Sequence, residues 1–125
     1  MTGTFPALLG IEVDVIERGR VEMRLAVRHD HLAPNGYLHA GAVVGLADSA
    51  CGFGCATSLP ERAVGFTTIE LKTNFLGTAR DGEIACIATL SHGGRTTQVW
   101  DADVRNAEGK TLAMFRCTQL LLYPS

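Results

Sequence analysis

The chain has 125 residues, of which 46% are apolar and 19% charged, with a formal net charge of −2. That length suits one domain over residues 1–125, with a core that needs no disulfide or metal staple. So weak a charge offers no field for nucleic acid or an anionic lipid surface, and neither is an expected partner.

The N-terminal "MTGTFPALLGIEVD" lacks a basic segment followed by a continuous apolar run, so it does not read as a signal peptide. No stretch of 18 uncharged apolar residues escapes interruption by glycine or polar residues, and a membrane span is not expected. Residues 11–17, "IEVDVIE", and 20–28, "RVEMRLAVR", alternate apolar and charged side chains. Period two predicts half-buried strands, joined by the tight "RGR" turn. Residues 29–38 form a loop carrying His29, His31, Pro34 and the turn dipeptide Asn35-Gly36.

From about Ala40 to Ser58 the pattern becomes helical, rich in Ala, Leu and Val, and Pro60 stops it. Gly36, Gly41, Gly45, Gly52 and Gly54 cost helix propensity there, which suggests that another backbone or a ligand must come close. Strand-like segments follow: "GFTTIELKTNF" (65–75), "GEIACIATL" (82–90), "RTTQVWDADVRN" (95–106) and "KTLAMFRCTQLLLY" (110–123). The separators "ARDG", "HGG" and "AEG" have hairpin length and glycine where positive φ is wanted. The expected class is α+β, an antiparallel sheet with one long helix packed on one face. Consecutive apolar residues in "TQLLLYP" suggest that both faces of the last strand are covered, a first hint of an oligomer.

Cys51 and Cys55 share the helix at i, i+4, where disulfide geometry is poor, while Cys86 and Cys117 fall in strands as small hydrophobes. Reduced thiols and a cytoplasmic location follow as expectations.

One carboxylate disturbs the helix. On a 3.6-residue period Asp48 shares its face with Gly41, Val44, Gly45, Cys51, Gly52 and Cys55, all small or apolar. A wet or capping aspartate is the plain reading. The alternative is a carboxylate facing a narrow, partly dry cleft, tuned for base or nucleophile chemistry. His39 stands at the helix start beside Ala40 and Gly41, where free N–H groups and the positive end of the dipole suit a carbonyl oxygen gaining charge. With Asp48 two and a half turns on, the pair is expected to line one groove. His29, His31, His39 and Asp48 lack zinc-type spacing, so no metal ligand set is assigned, and no cofactor is implied. Neither a G-x-S-x-G elbow nor a phosphate-binding P-loop occurs.

The stretches "HLAPNGYLHAGAVVGLADSA", "FTTIELKTNFLGTA" and "HGGRTTQVWDADV" resemble hotdog-fold acyl-CoA thioesterases of the phenylacetate-degradation (PaaI-like) and 4-hydroxybenzoyl-CoA thioesterase type. Their G-x-x-H-G-G, with an acid nine residues after the His, is matched by Gly36, His39, Gly41 and Asp48, from about residue 10 to the C-terminus overall. Ala40 replaces the first glycine of the pair, which a backbone donor tolerates. Ala33 stands where many relatives carry Asn or Gln, so either Asn35 substitutes or that contact is absent. The resemblance implies a sheet wrapped around the helix and a homodimer or homotetramer in which one subunit supplies His39 and another Asp48. It implies hydrolysis of an acyl-CoA thioester: the Ala40 N–H polarises the carbonyl, His39 and Asn35 position it, and Asp48 activates water or attacks. Thr68 falls where relatives carry Ser or Thr near the acid, and Arg95 with Thr96, in the "GGRT" turn, is the candidate contact for a CoA phosphate. Two other readings are kept: an enoyl-thioester hydratase or dehydratase, and a non-catalytic acyl-CoA binder.

Overall fold

A computed structural model describes residues 1–125 as α1 (Phe5–Leu9), β1 (Glu12–Glu17), β2 (Arg20–Ala26), a 3₁₀ turn (His29–His31), α2 (Ala40–Thr57), β3 (Gly65–Phe75), β4 (Glu83–Gly93), β5 (Thr97–Arg105) and β6 (Thr111–Leu122). The six strands form one antiparallel sheet in the order β1-β2-β4-β5-β6-β3. Helix α2 lies across its concave face, chiefly against β4, β2 and β5. Period-two alternation puts Val21, Met23 and Leu25 of β2, Ile84, Cys86 and Ala88 of β4, and Trp100, Ala102 and Val104 of β5 against the helix, all buried. By length and composition α2 could cross a membrane, with a mean hydropathy of 1.2, but half of it is buried against the protein's own sheet.

The far end of α2 is fastened by polar contacts. Buried Gln98 donates from Nε2 to the Ser58 carbonyl at 2.8 Å and accepts from Trp100 Nε1 at 2.8 Å. The Ser58 hydroxyl oxygen accepts from the Gly19 amide at 2.9 Å, tying the β1–β2 turn to the helix end. Trp100 also explains one helical glycine: a Cβ on Gly54 would lie 2.5 Å from its ring.

The structure differs from the sequence expectations in several places. Residues 5–9 form α1, with Pro6 in its first turn and Gly10 at φ 78 closing it. β1 is an edge strand, paired with β2 alone, and is largely exposed rather than half buried. "ARDG" does not close a hairpin: β3 pairs with β6 at the sheet's far edge, and residues 76–82 cross to the interior strand β4. A turn dipeptide marks where a chain reverses, not which strand it meets next. β4 includes His92 and Gly93, leaving Gly94–Thr96 as the tight turn. Gly36 lies outside the helix, in a turn at φ 87. Of the consecutive leucines in β6, only Leu121 is buried; Leu120 and Leu122 are 37% and 41% exposed.

Candidate active site

His39 is the N-cap of α2. Its backbone is extended (φ −67°, ψ 134°), and its Nδ1 accepts a hydrogen bond from the Gly41 amide at 2.7 Å. A neutral ring that accepts at Nδ1 carries its proton on Nε2, so His39 presents a donor outward. The amides of Ala42 and Val43 are taken by the His39 carbonyl, at 3.0 and 3.4 Å. Ala40 is exposed, and its N–H has no partner. The helix therefore begins with two adjacent free donors, Ala40 N–H and His39 Nε2–H. Both border a cleft of about 460 Å³ whose walls include Asn35, Tyr37, Val43 and Phe75.

The loop that delivers His39 is held by another histidine. The buried His31 accepts at Nδ1 from the Arg28 amide (3.0 Å) and meets the Leu9 carbonyl from Nε2 at 2.7 Å. Its own carbonyl accepts from the His39 amide at 2.9 Å. His31 is a structural pin, which removes it from any metal set; no group of three or more His, Cys, Asp or Glu side chains converges anywhere. Asn35 Oδ1 accepts from the Tyr37 amide at 3.1 Å, so its oxygen shapes the turn and its NH₂ is the group available to a ligand.

Asp48 is half buried midway along α2, and its Oδ1 is shielded from solvent without a hydrogen-bond partner. Burial raises its pKa above the ordinary aspartate value, and no cation offsets the effect. On the same face Cys51 is pushed far up by its hydrogen bond with Cys117 and by burial, and burial pushes Cys55 up to about 11. Neither thiol supplies a thiolate near neutral pH, which leaves Asp48 as the ionisable carboxylate of this face. Gly52, one turn on, is covered by the Phe66 ring, which lies 3.5 Å from where its Cβ would be. Phe66 and Thr68 are two residues apart, so their side chains share a face of β3.

Thr68 has a partner that the sequence reading missed. Its hydroxyl donates to Gln119 Oε1 at 2.6 Å across a directly opposed pair of β3 and β6. Gln119 is fully buried, with Nε2 3.5 Å from Cys117 Sγ. Its signal was a glutamine on the otherwise apolar inward face of β6. A bulge follows immediately, between Thr68 and Glu70, and turns β3 at this point. Arg95 and Thr96 lie at the β4–β5 turn, where the Thr96 carbonyl accepts from the Leu121 amide at 2.9 Å.

The structure does not bring His39 and Asp48 onto one groove of a single chain. Nine residues span about 13 Å of helix and end half a turn out of phase, and Asp48 is absent from the walls of the His39 cleft. The glycine expectation also changes. Gly45 makes room for α1, since a Cβ there would lie 2.7 Å from Leu9 and 3.2 Å from Phe5.

Residues 35–113 match the family model of the thioesterase superfamily. The chain belongs to that superfamily. A 1,4-dihydroxy-2-naphthoyl-CoA hydrolase of Listeria monocytogenes is 34% identical over 110 residues, covering 88% of this chain and 89% of that protein. The acyl-coenzyme A thioesterase PaaI of Escherichia coli is 28% identical over 109 residues, 86% of this chain and 75% of that protein. Among solved structures, a thioesterase from Haemophilus influenzae superposes with a TM-score of 0.91 at 28% identity, covering 98% of this chain and 85% of its own. The fold is the hotdog, and the activity is thioester hydrolysis.

Proposed function

We propose that this thioesterase hydrolyses acyl-CoA in a site shared by two copies of the chain, with Asp48 of one acting on a carbonyl held by the other. The observation that carries the reading is the buried, unpartnered Oδ1 of Asp48, a carboxylate atom that a structural aspartate would have satisfied. The Ala40 N–H and His39 Nε2–H are donors in want of an oxyanion, but they lie about 13 Å along the helix from Asp48. A second copy resolves this by setting its His39 against the first copy's Asp48. The unpaired edge of β3 is a natural seam, with Ile69, Leu71 and Phe75 each between 44% and 56% exposed.

In this reading Asp48 either accepts a proton from the attacking water or attacks the carbonyl carbon itself. With water, a C–O bond forms, the C–S bond breaks, and the proton passes from Asp48 to the departing thiolate. With direct attack, an acyl–aspartyl anhydride forms, the thiolate departs, and water then cleaves the anhydride. Thr68, braced by Gln119, stands beside the acid, Asn35 offers its NH₂ on the donor side, and Arg95 with Thr96 meets a CoA phosphate. Two relatives carry the names of acyl-CoA hydrolases, which supports CoA as the leaving group. Four buried free thiols favour the cytoplasm.

The test is a thiol-release screen over short, long and aromatic acyl-CoAs. Release of free CoA is the expected result. Water addition to an enoyl-CoA without thiol release would replace hydrolase with hydratase, and binding without either reaction would leave a passive acyl-CoA binder.

A further inference from the structure

We infer that Arg62 is a specificity residue, which together with Arg95 clamps a phosphate of the CoA nucleotide; the inference rests on the acyl-CoA reading above. Arg62 has φ 78°, and it is the only residue other than glycine in the left-handed region. The Ala63 amide donates to the Pro60 carbonyl at 3.1 Å, so Arg62 occupies the third position of a tight turn with positive φ, where glycine is the default. An arginine held there against backbone preference is a strained residue of the kind that gathers at ligand sites.

Its surroundings supply the second observation. Arg62, Gly93, Gly94, Arg95 and Tyr123 border a cleft of about 750 Å³ that has a single hydrophobic residue in its lining. Backbone bonds lace its three walls together: Val64 N to Leu122 O at 2.8 Å, and Leu121 N to Thr96 O at 2.9 Å. The Tyr123 hydroxyl also donates to the Arg95 carbonyl. The two arginines are thus carried on backbone of fixed relative position. Neither is in an ion pair, whereas Arg24, Arg105 and Arg116 each face a carboxylate. Glu61 borders the cleft as well and offsets one of the two positive charges. Planar guanidinium groups with unused donors match phosphate oxygens.

The spacing fits the same ligand. From Asp48 to the end of α2 is about 13 Å of helix rise, and the Pro60–Arg62 turn follows shortly after. On β3, Thr68, set beside the acid in the reading above, is six residues from Arg62. A thioester at Asp48 would therefore present its pantetheine arm along the start of β3 and its phosphates to the arginines.

Arg62→Gly tests this while keeping the backbone, because glycine adopts φ 78° without strain. The variant should melt at or above the parent temperature. Its ratio of kcat/KM for an acyl-CoA to kcat/KM for the matching acyl-pantetheine, which has no phosphate, should fall about tenfold, the worth of one charge-assisted hydrogen bond. Adenosine 3′,5′-bisphosphate should inhibit the parent competitively and the variant about tenfold more weakly. An acyl-3′-dephospho-CoA then assigns the phosphate: a parental ratio that drops to the variant's value points to the 3′-phosphate, and one that does not points to the pyrophosphate. A ratio equal to the parent's in Arg62→Gly overturns the clamp while leaving acyl-CoA hydrolysis standing. If the parent hydrolyses no acyl-CoA, the substrate reading fails instead, and calorimetric titration with free CoA decides the clamp: weaker binding by Arg62→Gly supports it, and equal or absent binding overturns it.

Discussion

The Gly41 amide donates to His39 Nδ1 across 2.7 Å, and that contact decides which donors of the helix start remain for a substrate. It consumes the Gly41 N–H, fixes the imidazole proton on Nε2, and leaves the Ala40 N–H as the one amide of the first turn with no partner.

Ala40→Pro should therefore remove a catalytic donor without removing the fold. Proline is tolerated at the first helical position, and His39 at ψ 134° already has the extended backbone that a following proline demands. Turnover should fall about 10²–10³-fold, the usual loss for one oxyanion donor. A folded variant at the parental rate would remove Ala40 from the site.

Asp48→Asn should lower turnover by about 10²–10⁴-fold, since an amide neither accepts the proton efficiently nor attacks as a carboxylate. Melting temperature should hold or rise, because the ionised carboxylate is desolvated in the folded chain without a compensating partner. A buried aspartate serving only as a cap would show the opposite: lost stability, with activity tracking the folded fraction. Both quantities need measuring on one preparation.

The raised pKa of Asp48 also sets a pH dependence. When the folded pKa exceeds the unfolded one, the native state holds the extra proton, so stability is greatest below the unfolded pKa and is lost as pH rises through the folded value. The stability gap between Asp48→Asn and the parent should accordingly narrow on acidification. The acid limb of kcat/KM should lie above the ordinary aspartate range and be absent from the residual activity of Asp48→Asn. An acid limb at the ordinary value would show that Asp48 does not govern the rate.

Two inactive variants should rescue each other. In a two-fold dimer with shared sites, mixed Asp48→Asn and His39→Ala chains form heterodimers with one site intact in both residues, so refolding the two together should recover about a quarter of parental activity. Each site confined to one chain predicts no recovery. Sedimentation showing only monomer at micromolar concentration would also sink the shared site.

The helical glycines should respond unequally to alanine. At Gly54 the new methyl would meet the buried Trp100 ring at 2.5 Å, and overpacking of about 1–3 kcal/mol should exceed a helix-propensity gain of roughly 1 kcal/mol. At Gly45 the nearest atom, at 2.7 Å, is the flexible tip of Leu9, so α1 can yield and stability should change little. Urea midpoints of the two variants check this, and equal losses would contradict the contact geometry.

Local pattern was enough for most of the elements, though not for α1. Alternation placed β2, β3, β5 and β6 within a few residues, because inward and outward side chains differ in polarity wherever a strand has one covered face. It misjudged β1, whose charged and apolar faces are both largely exposed at the sheet edge. The helix bounds and the oddity of Asp48 were legible for the same reason: one acid on a small, apolar face breaks a local rule. Tertiary structure alone decided the rest. Strand order hangs on long-range pairing, and Thr68 and Gln119 meet across 51 positions of sequence. The glycines answer to Trp100 of β5 and to Leu9 of α1, neither of them a sequence neighbour. His39 and Asp48 share a motif in the sequence, but helix rise and phase hold them apart in the chain, so closeness in a sequence pattern does not put them on one groove.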